Sequence, residues 1–371
     1  MTWFALEPLD AFIPRGNRTF GGGVHGEAVM PPWPSVLAGA LVSRILVDAG
    51  RIPQLVSRPD SAEGVLEEVL GPDHGVLGLG LFAEKTPVFL LPADCVVFKG
   101  PRLVRVVPRS LHGFPGVASS SPTALIPVLS DATREKPEGG YWITLEGLAQ
   151  YLSGREVAAE HLKNATSLWR LDQRLGIALD RASRTVREGL LYTTDAVVFT
   201  PGVRLLVGFR ADYAPPQGLV RLGADGRGAQ VEPLAGPLSE RLDRLGAPGS
   251  GWPGFRMVLA TPGLFPHGWL PPGVGDDGIF RFRGVKARLE AAAVGRFQVV
   301  SGWDLARQHP KPAERAVPQG SVYWFRVLEG DARELEPLCV HGLWPLRVED
   351  RARRREGFNR VWFGYWDPKE V

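Results

Sequence analysis

Prolines 31, 32 and 34, in the stretch EAVMPPWPS, bar a helix from beginning at Gly26. Proline removes a backbone donor and drives the residue before it out of helical geometry. That constraint decides the meaning of the segment just upstream. Residues 21–26 read GGGVHG and satisfy G-x-G-x-x-G, with Asp48 placed about where the dinucleotide fingerprint wants its ribose-binding acid. The fingerprint also needs a strand running into its first glycine and a helix opening within the motif, so that the helix N-terminus meets the pyrophosphate. Here the strand candidate WFALEPL (Trp3–Leu9) is separated from the glycines by PRGNRTF, and the next helix starts near Ser35. Asp48 falls at the end of that helix. The glycine run therefore predicts no dinucleotide, and no cofactor is expected.

The same reasoning lays out the rest of the chain. SVLAGALVSRILVDA (35–49) predicts a helix capped by Ser35 and ended by Gly50, with Leu37, Ala38, Leu41, Val42 and Ile45 on one face and close packing at Gly39. GVLGLGLFAEKTPVFLLPADCVVF reads as two strands around Glu84-Lys85-Thr86-Pro87, with Pro92 at a strand end. Residues 99–140 are rich in Pro, Gly and Ser and predict a long insertion with little core of its own. TLEGLAQYLSG predicts a short helix, and RLGIALD (174–180) a strand. The order strand, helix, two strands, helix, strand is that of a βαββαβ ferredoxin-like unit. Further on, GLLYTTDAVVFTPGVRLLVGF predicts a hairpin turning at Thr200-Pro201-Gly202. After it come a helix at PLSERLDRLG and strands at FRMVLA, RFQVVSGW, GSVYWFRVL and RVWFGYW. The fold class expected is α+β, in two domains at 1–165 and 166–371, since 371 residues exceed one compact core.

No apolar run is long enough to span a bilayer, and the N-terminal residues MTWFALEPLD lack a leader pattern, so a cytoplasmic protein with no membrane partner is expected. Two cysteines, Cys95 and Cys339, make neither a disulfide framework nor a zinc site and are expected as small apolar residues. The seven histidines show no metal-ligand spacing, and nucleophile-elbow and phosphate-loop motifs are absent, so no metal is expected. His25, beside the glycines, is the best general-base candidate if the chain is an enzyme.

Arginine supplies 36 of the 43 basic residues, a bias that suits phosphate recognition but also follows from a GC-rich coding sequence. Clustering is more informative. The segment GIFRFRGVKARLEAAAVGRF (278–297) carries Arg281, Arg283, Lys286, Arg288 and Arg296 against the one acid Glu290. If FRF is extended, Phe280 and Phe282 point away from Arg281 and Arg283, giving either an aromatic stacking face with a basic rim or a core face with a solvated back. In KGPRLVRVVPR, Arg105 and Arg109 share a strand face. In RARRREGFNRVWFGYW, Arg351, Arg353, Arg354 and Arg355 lead into a glycine turn and an aromatic strand, and predict a fixed basic patch beside an ordered turn. Guanidiniums next to open backbone amides make a cradle for a phosphodiester strand.

Long stretches in a fixed order resemble the RAMP superfamily of CRISPR proteins, most closely subunit three of the Cmr-type (type III-B) RNA-guided effector complex. They are LEPLDAFIPRGNRTFGGG with PPWPSVLAGALVSRIL, then QRLGIALDRASRTVREGLLY, SGWDLARQHPKPAERAVPQGSVYWF and EGFNRVWFGYW. The resemblance spans essentially the whole chain. It implies two ferredoxin-like (RRM-like) domains with long loop insertions and a non-catalytic scaffold. That scaffold would hold the 5′ repeat-derived handle of the CRISPR RNA and bridge the large polymerase-like subunit to the backbone RAMP subunits. It maps the family's early arginine-and-glycine segment onto Arg15, Arg18, Phe20 and Gly21, Gly22 and Gly23, and its late turn onto Gly357, Phe358, Asn359 and Arg360. The late turn reads GFN here, with fewer glycines than such loops often carry. Some RAMP relatives cut repeat RNA without metal, and for that alternative His25 with Arg18 are the candidates.

Overall fold

The computed structural model describes residues 1–14, 16, 25–110, 116, 122–129, 131, 134–180, 182–347 and 350–370. Two antiparallel sheets stacked face to face form its frame. The first runs in the order Gly218–Arg221, Gly228–Leu234, Thr2–Pro8, Arg204–Arg210, Gly75–Ala83, Thr86–Leu90, Tyr141–Thr144, Leu162–Asn164. Period-two alternation in TWFALEP sorts its side chains. Phe4 and Leu6 pack beneath the helix Pro34–Asp48, while Trp3 points to the opposite face. Trp3 lies in register with Gly208, and Gly208 with Gly78. A Cβ on Gly78 would stand 2.3 Å from the indole, so the two glycines form the groove that accepts it. The indole Nε1 then donates to Asp243 Oδ1 at 2.8 Å.

The second sheet has the order Ile279–Phe282, Val285–Ala293, Val322–Glu329, Gly254–Leu259, Val361–Tyr365. Its outer face, with Phe255, Met257, Tyr323 and Phe325, packs under the helix Glu336–His341 and its preceding turn. Its inner face meets the first sheet in one shared core, where Val258, Val322 and Trp324 pack with Trp3, Phe89, Ile143 and Leu206. Each such side chain contributes about 1.5–3 kcal/mol on burial. Within this seam Arg256 and Asp94 are fully buried. The guanidinium reaches Asp94 Oδ2 at 3.5 Å and the Tyr151 carbonyl at 2.5 Å, and the Tyr151 hydroxyl donates to Asp94 Oδ1 at 2.7 Å.

Several expectations hold locally. The helix covers Pro34–Asp48 and buries Leu37, Ala38, Leu41 and Ile45. The strands Gly75–Ala83 and Thr86–Leu90 turn at Glu84 and Lys85, both at positive φ, the geometry of a tight hairpin. Thr144 caps the helix Leu145–Leu152 by accepting from the Gly147 N–H. Cys95 is buried, which pushes its thiol well above the ordinary range, and burial pushes Cys339 up to about 12.

Others are corrected. Ser35 does not cap the first helix, which begins at Pro34 after Trp33, because proline is preorganised for the first helical position. Gly39 is exposed with open space around it, so it serves no close approach. All of RLGIALD but its last residue, Asp180, lies in the strand Trp169–Leu179, which pairs with Val186–Phe199 in a separate hairpin outside the first sheet. The chain does turn after Phe199, but Arg204–Arg210 leaves its neighbour to enter the centre of the first sheet, between Thr2–Pro8 and Gly75–Ala83. A boundary at 165/166 would cut that sheet, which draws its strands from as far along as Leu234. Within 99–140, Arg102–Ser110 pairs with Leu125–Leu129 on one side and with Cys95–Phe98 on the other in a small three-stranded sheet, and Leu125 is buried in the core between the sheets.

Candidate nucleic-acid interface

The early arginine-and-glycine segment is approached from its two ends. Arg15, Arg18, Phe20 and Gly21–Gly23 lie outside the described residues. On the flanks, the Gly16 amide donates to the Glu27 carbonyl at 3.2 Å and the Val29 amide to Pro14 at 3.1 Å. Pro14 and Gly16 are thereby drawn against Val29 and Glu27. Next to them, His25–Gly26 pairs in parallel with Thr193 and Thr194 of the long hairpin. His25 Nδ1 lies 2.9 Å from Thr193 Oγ1 and Nε2 3.1 Å from Asp195 Oδ2. With the carboxylate accepting from Nε2–H, the Nδ1 lone pair accepts the threonine hydroxyl, so both ring nitrogens are occupied. The side chain remains 39% exposed.

The hairpin beside His25 bears a feature that sequence reasoning missed. Leu171, Leu175, Ile177 and Leu179 project from one face of Trp169–Leu179, and Ile177 stands opposite Leu191, Leu179 opposite Val186. All six are exposed, Leu175 at 67%. The register through Thr193 and Asp195 puts His25 at the margin of this same face. The alternation was present in WRLDQRLGIAL, but a period of two does not say which face is left uncovered.

Arg105 and Arg109 do share one face of Arg102–Ser110. Arg105 lies 5.4 Å over the Tyr151 ring and donates to the Gly154 carbonyl at 3.4 Å, so it is held against the core wall while half exposed. Neighbouring Leu125–Leu129 packs against Val285–Ala293, which links this strand to the 278–297 cluster.

In that cluster the structure selects the core face with a solvated back. Phe280 is fully buried against Phe255 and Phe325, leaving no aromatic stacking face there. Its cations are unequal. Arg281 is held by Asp277, whose carboxyl the guanidinium and the Ile279 amide draw down to about 2. Lys286 pairs with Glu329 at 2.8 Å, and Arg326 with Glu290 at 2.7 Å. Arg283, at positive φ in the turn and 5.5 Å over Phe282, and Arg288 have no carboxylate partner among the described residues. Those two, together with the exposed Arg296, which likewise has no carboxylate partner among the described residues, are the cations available to a ligand.

The late turn is corrected outright. Phe358 and Asn359 are fully buried and Arg360 is 3% exposed. Asn359 Oδ1 accepts from the Leu264 amide at 2.6 Å, and the Asn359 amide donates to Pro262. Gly357, at φ 96°, ends the helix Arg351–Glu356, where a Cβ would stand 2.7 Å from Val76. The turn's amides are bonded inside the fold and the side chains of Phe358, Asn359 and Arg360 are buried there. The arginine run before it is spent likewise. Arg353 is buried and bonds Glu314 at 2.7 Å and Glu356 at 3.0 Å. Arg354 bonds Asp73 at 3.0 Å, and Arg351 and Arg355 meet Glu63 and Glu67 of the helix Ala62–Leu70. RARRR is a clasp between the two halves of the chain rather than an open basic patch. Among the described residues no group of three or more His, Cys, Asp or Glu side chains is placed to hold a metal, and no helix is long and apolar enough to cross a membrane.

Comparison with known proteins agrees with this architecture. A family model described as CRISPR-associated protein (Cas_Cmr3) matches residues 4–366. No curated protein matches the sequence. Among solved structures, a chain of the Type III-B Cmr-beta complex bound to cognate target RNA and AMPPnP has a similar fold. Its TM-score is 0.52 at 15% identity, over 97% of this chain and 95% of that one. A chain of the Type III-B Cmr-beta complex bound to cognate target RNA gives a TM-score of 0.52 at 14% identity, over 97% and 96%.

Proposed function

The chain belongs to the Cas_Cmr3 family of CRISPR-associated proteins, and from that premise we propose that it is the Type III-B subunit that holds the 5′ repeat-derived handle of the CRISPR RNA. It bridges the large polymerase-like subunit to the backbone RAMP subunits and breaks no bond itself. The observation that carries the reading is the pair of backbone hydrogen bonds that draws Pro14 and Gly16 against Val29 and Glu27, beside His25 and the exposed hairpin face. The flanks of the segment that bears Arg15, Arg18, Phe20 and three glycines thus meet next to a solvent-facing wall. Guanidiniums there supply charge, and glycines let the backbone approach a phosphodiester. Arg105, Arg109, Arg283 and Arg288 extend the contact.

We read each sheet as an elaborated ferredoxin-like unit. In the first, the strands at 2–8, 75–83, 204–210 and 228–234, taken in chain order as one to four, lie as four-one-three-two. In the second, the strands at 254–259, 285–293, 322–329 and 361–365 lie in the same order. That common order supports the reading, with the paired strands Arg102–Ser110 and Leu125–Leu129 and the hairpin of Trp169–Leu179 with Val186–Phe199 as insertions.

The test is charge reversal at Arg15 and Arg18, with handle RNA titrated across a salt series. Affinity falls, and the salt slope drops by roughly one for each phosphate that is no longer neutralised. Wild-type binding at every salt concentration overturns the loop assignment. The contact between His25 and Asp195 favours a second reading, a metal-independent endoribonuclease. Repeat RNA incubated with the chain in EDTA distinguishes them: cuts abolished by His25→Ala establish the enzyme, and intact RNA supports the scaffold.

A further inference from the structure

The short strand Gln298–Val300 and its antiparallel partner Glu314–Ala316 form a ribbon whose two faces differ. Val300 and Ala316 turn inward and are buried in one cluster with Trp33, Leu264 and Trp344. On the outward face Val299 stands in register with Arg315, and the Arg315 guanidinium lies 4.9 Å over the ring of Phe297, two residues before Val299. Phe297 is 52% exposed and Val299 42%. Arg315 is exposed as well and has no carboxylate partner among the described residues, and the same holds for Arg296, next to Phe297 in the chain. Clustered apolar side chains left in water mark a contact surface, and two unpaired guanidiniums beside them select an anionic partner.

Arg315 also lines a cavity of about 440 Å³, within the roughly 300–1,000 Å³ that small-ligand sites span. Leu264, Phe265 and Pro266 give it an apolar wall, and Glu314 and Arg347 add polar groups. Those two are fixed by their neighbours. Glu314 Oε1 accepts from Arg353 Nε at 2.7 Å, while Arg347 lies 5.0 Å over Trp344 and donates from Nη1 to the Leu264 carbonyl. Arg315, by contrast, rests on the Phe297 ring with its donors open. The cavity also adjoins the early arginine-and-glycine segment. Val29, whose amide donates to Pro14, packs against the cluster that contains Leu264, so the cavity wall and the flank of that segment share one piece of core.

We propose that Phe297, Arg315 and this cavity form a binding site for one base of a single-stranded RNA, with Arg296 at a neighbouring phosphate. The base stacks on the guanidinium plane of Arg315, which Phe297 backs, and its far side meets the apolar wall. A stacking ring with unpaired cations on both sides of it in the fold suits a nucleic-acid strand better than an apolar peptide. The inference rests on the reading of the chain as an RNA-binding subunit and adds to it a second contact, outside the segment at 17–24.

The experiment titrates labelled single-stranded handle RNA with the full chain across a salt series, read by fluorescence anisotropy. Phe297→Ala and Arg315→Gln each weaken binding by about tenfold or more, and Phe297→Trp retains it, because another flat ring serves as well. Arg296→Gln lowers the salt slope by about one, while Phe297→Ala leaves the slope unchanged. All three side chains are exposed, so their replacement leaves the fold intact, which a thermal melt verifies. Phe297→Ala and Arg315→Gln chains that bind as wild type overturn the proposal, and so does a Phe297→Trp chain as weak as Phe297→Ala. The chain reversed in charge at Arg15 and Arg18, titrated in parallel, keeps the two contacts apart. RNA lost there but kept in the Phe297 and Arg315 variants removes this site and leaves the early segment. The opposite pattern keeps this site and removes the early segment. A wild-type chain that binds no RNA removes both. If the Phe297 and Arg315 variants keep RNA but no longer co-purify with the other effector subunits, the face is a protein contact and the proposal falls.

Discussion

Replacing Arg353 or Arg351 with alanine separates two meanings of one arginine run. Arg353 has a side-chain exposure of 4%. Its Nε donates to Glu314 at 2.7 Å and Nη1 to Glu356 at 3.0 Å. Nη1 also reaches the Ser301 carbonyl and Nη2 the Pro312 carbonyl, each at 3.1 Å. Alanine there leaves two carbonyls without a donor and Glu356, 12% exposed, with Lys311 as its remaining cation. Removing one side of a buried pair costs about 3–5 kcal/mol. Unfolding entropy of roughly 2.1 cal/mol/K per residue, summed over a chain of 371 residues that melts as one unit, is about 0.8 kcal/mol/K, so Tm drops by about 5 °C. Arg351 has a side-chain exposure of 61% and meets Glu63 and Glu67 at 3.3 Å in water. Exposed pairs of that kind contribute about 0–1 kcal/mol, a shift of about 1 °C or less.

Two assays run on each variant give the answer. Scanning calorimetry reads Tm, and a salt series with handle RNA reads how many phosphates the protein neutralises. The clasp reading requires a large drop in Tm for Arg353→Ala, a negligible one for Arg351→Ala, and an unchanged salt slope for Arg351→Ala. A salt slope that falls by about one in Arg351→Ala, with both melts near wild type, would falsify it and restore the run as a nucleic-acid patch.

The remaining predictions concern the surface and the thiols. Charge reversal at Arg288 or Arg283 lowers the salt slope of RNA binding more than Arg281→Gln does, since Asp277 already occupies Arg281; equal effects refute the distinction, read by filter binding. Because Asp277 is drawn down to about 2 in the folded chain, the order it gives the 277–281 turn is complete above the ordinary carboxylate pKa and fades as pH falls from about 5 towards 2. Amide exchange at Ile279 follows that fading, and Asp277→Asn makes it flat with pH. Cys95 and Cys339, whose thiols burial raises, stay unmodified by a disulfide reagent at pH 8 until urea unfolds the chain; rapid labelling of the native protein contradicts their placement.

What the sequence disclosed follows the range over which each signal acts. Proline at 34, the Glu84-Lys85 turn and the Thr144 cap are local chemistry, and each element forms within about a residue of its expectation. Pairing is not local. RLLVGF reads equally well as the partner of the strand before it or of any strand with a matching apolar face. Its place between Thr2–Pro8 and Gly75–Ala83 is set by where Leu205 and Val207 find the core under the first helix. The arginines show the same limit. Sequence proximity placed Arg351, Arg353, Arg354 and Arg355 together as a patch, but their partners Glu63, Glu67, Asp73 and Glu314 lie far away along the chain and cancel them. Arg288, unremarkable in a run of cations, is left unpaired because its cross-strand neighbour is Arg326, which has already taken Glu290. A basic residue becomes available to an anionic strand when the fold brings no acid to it, and that is a property of strand register rather than of local charge density.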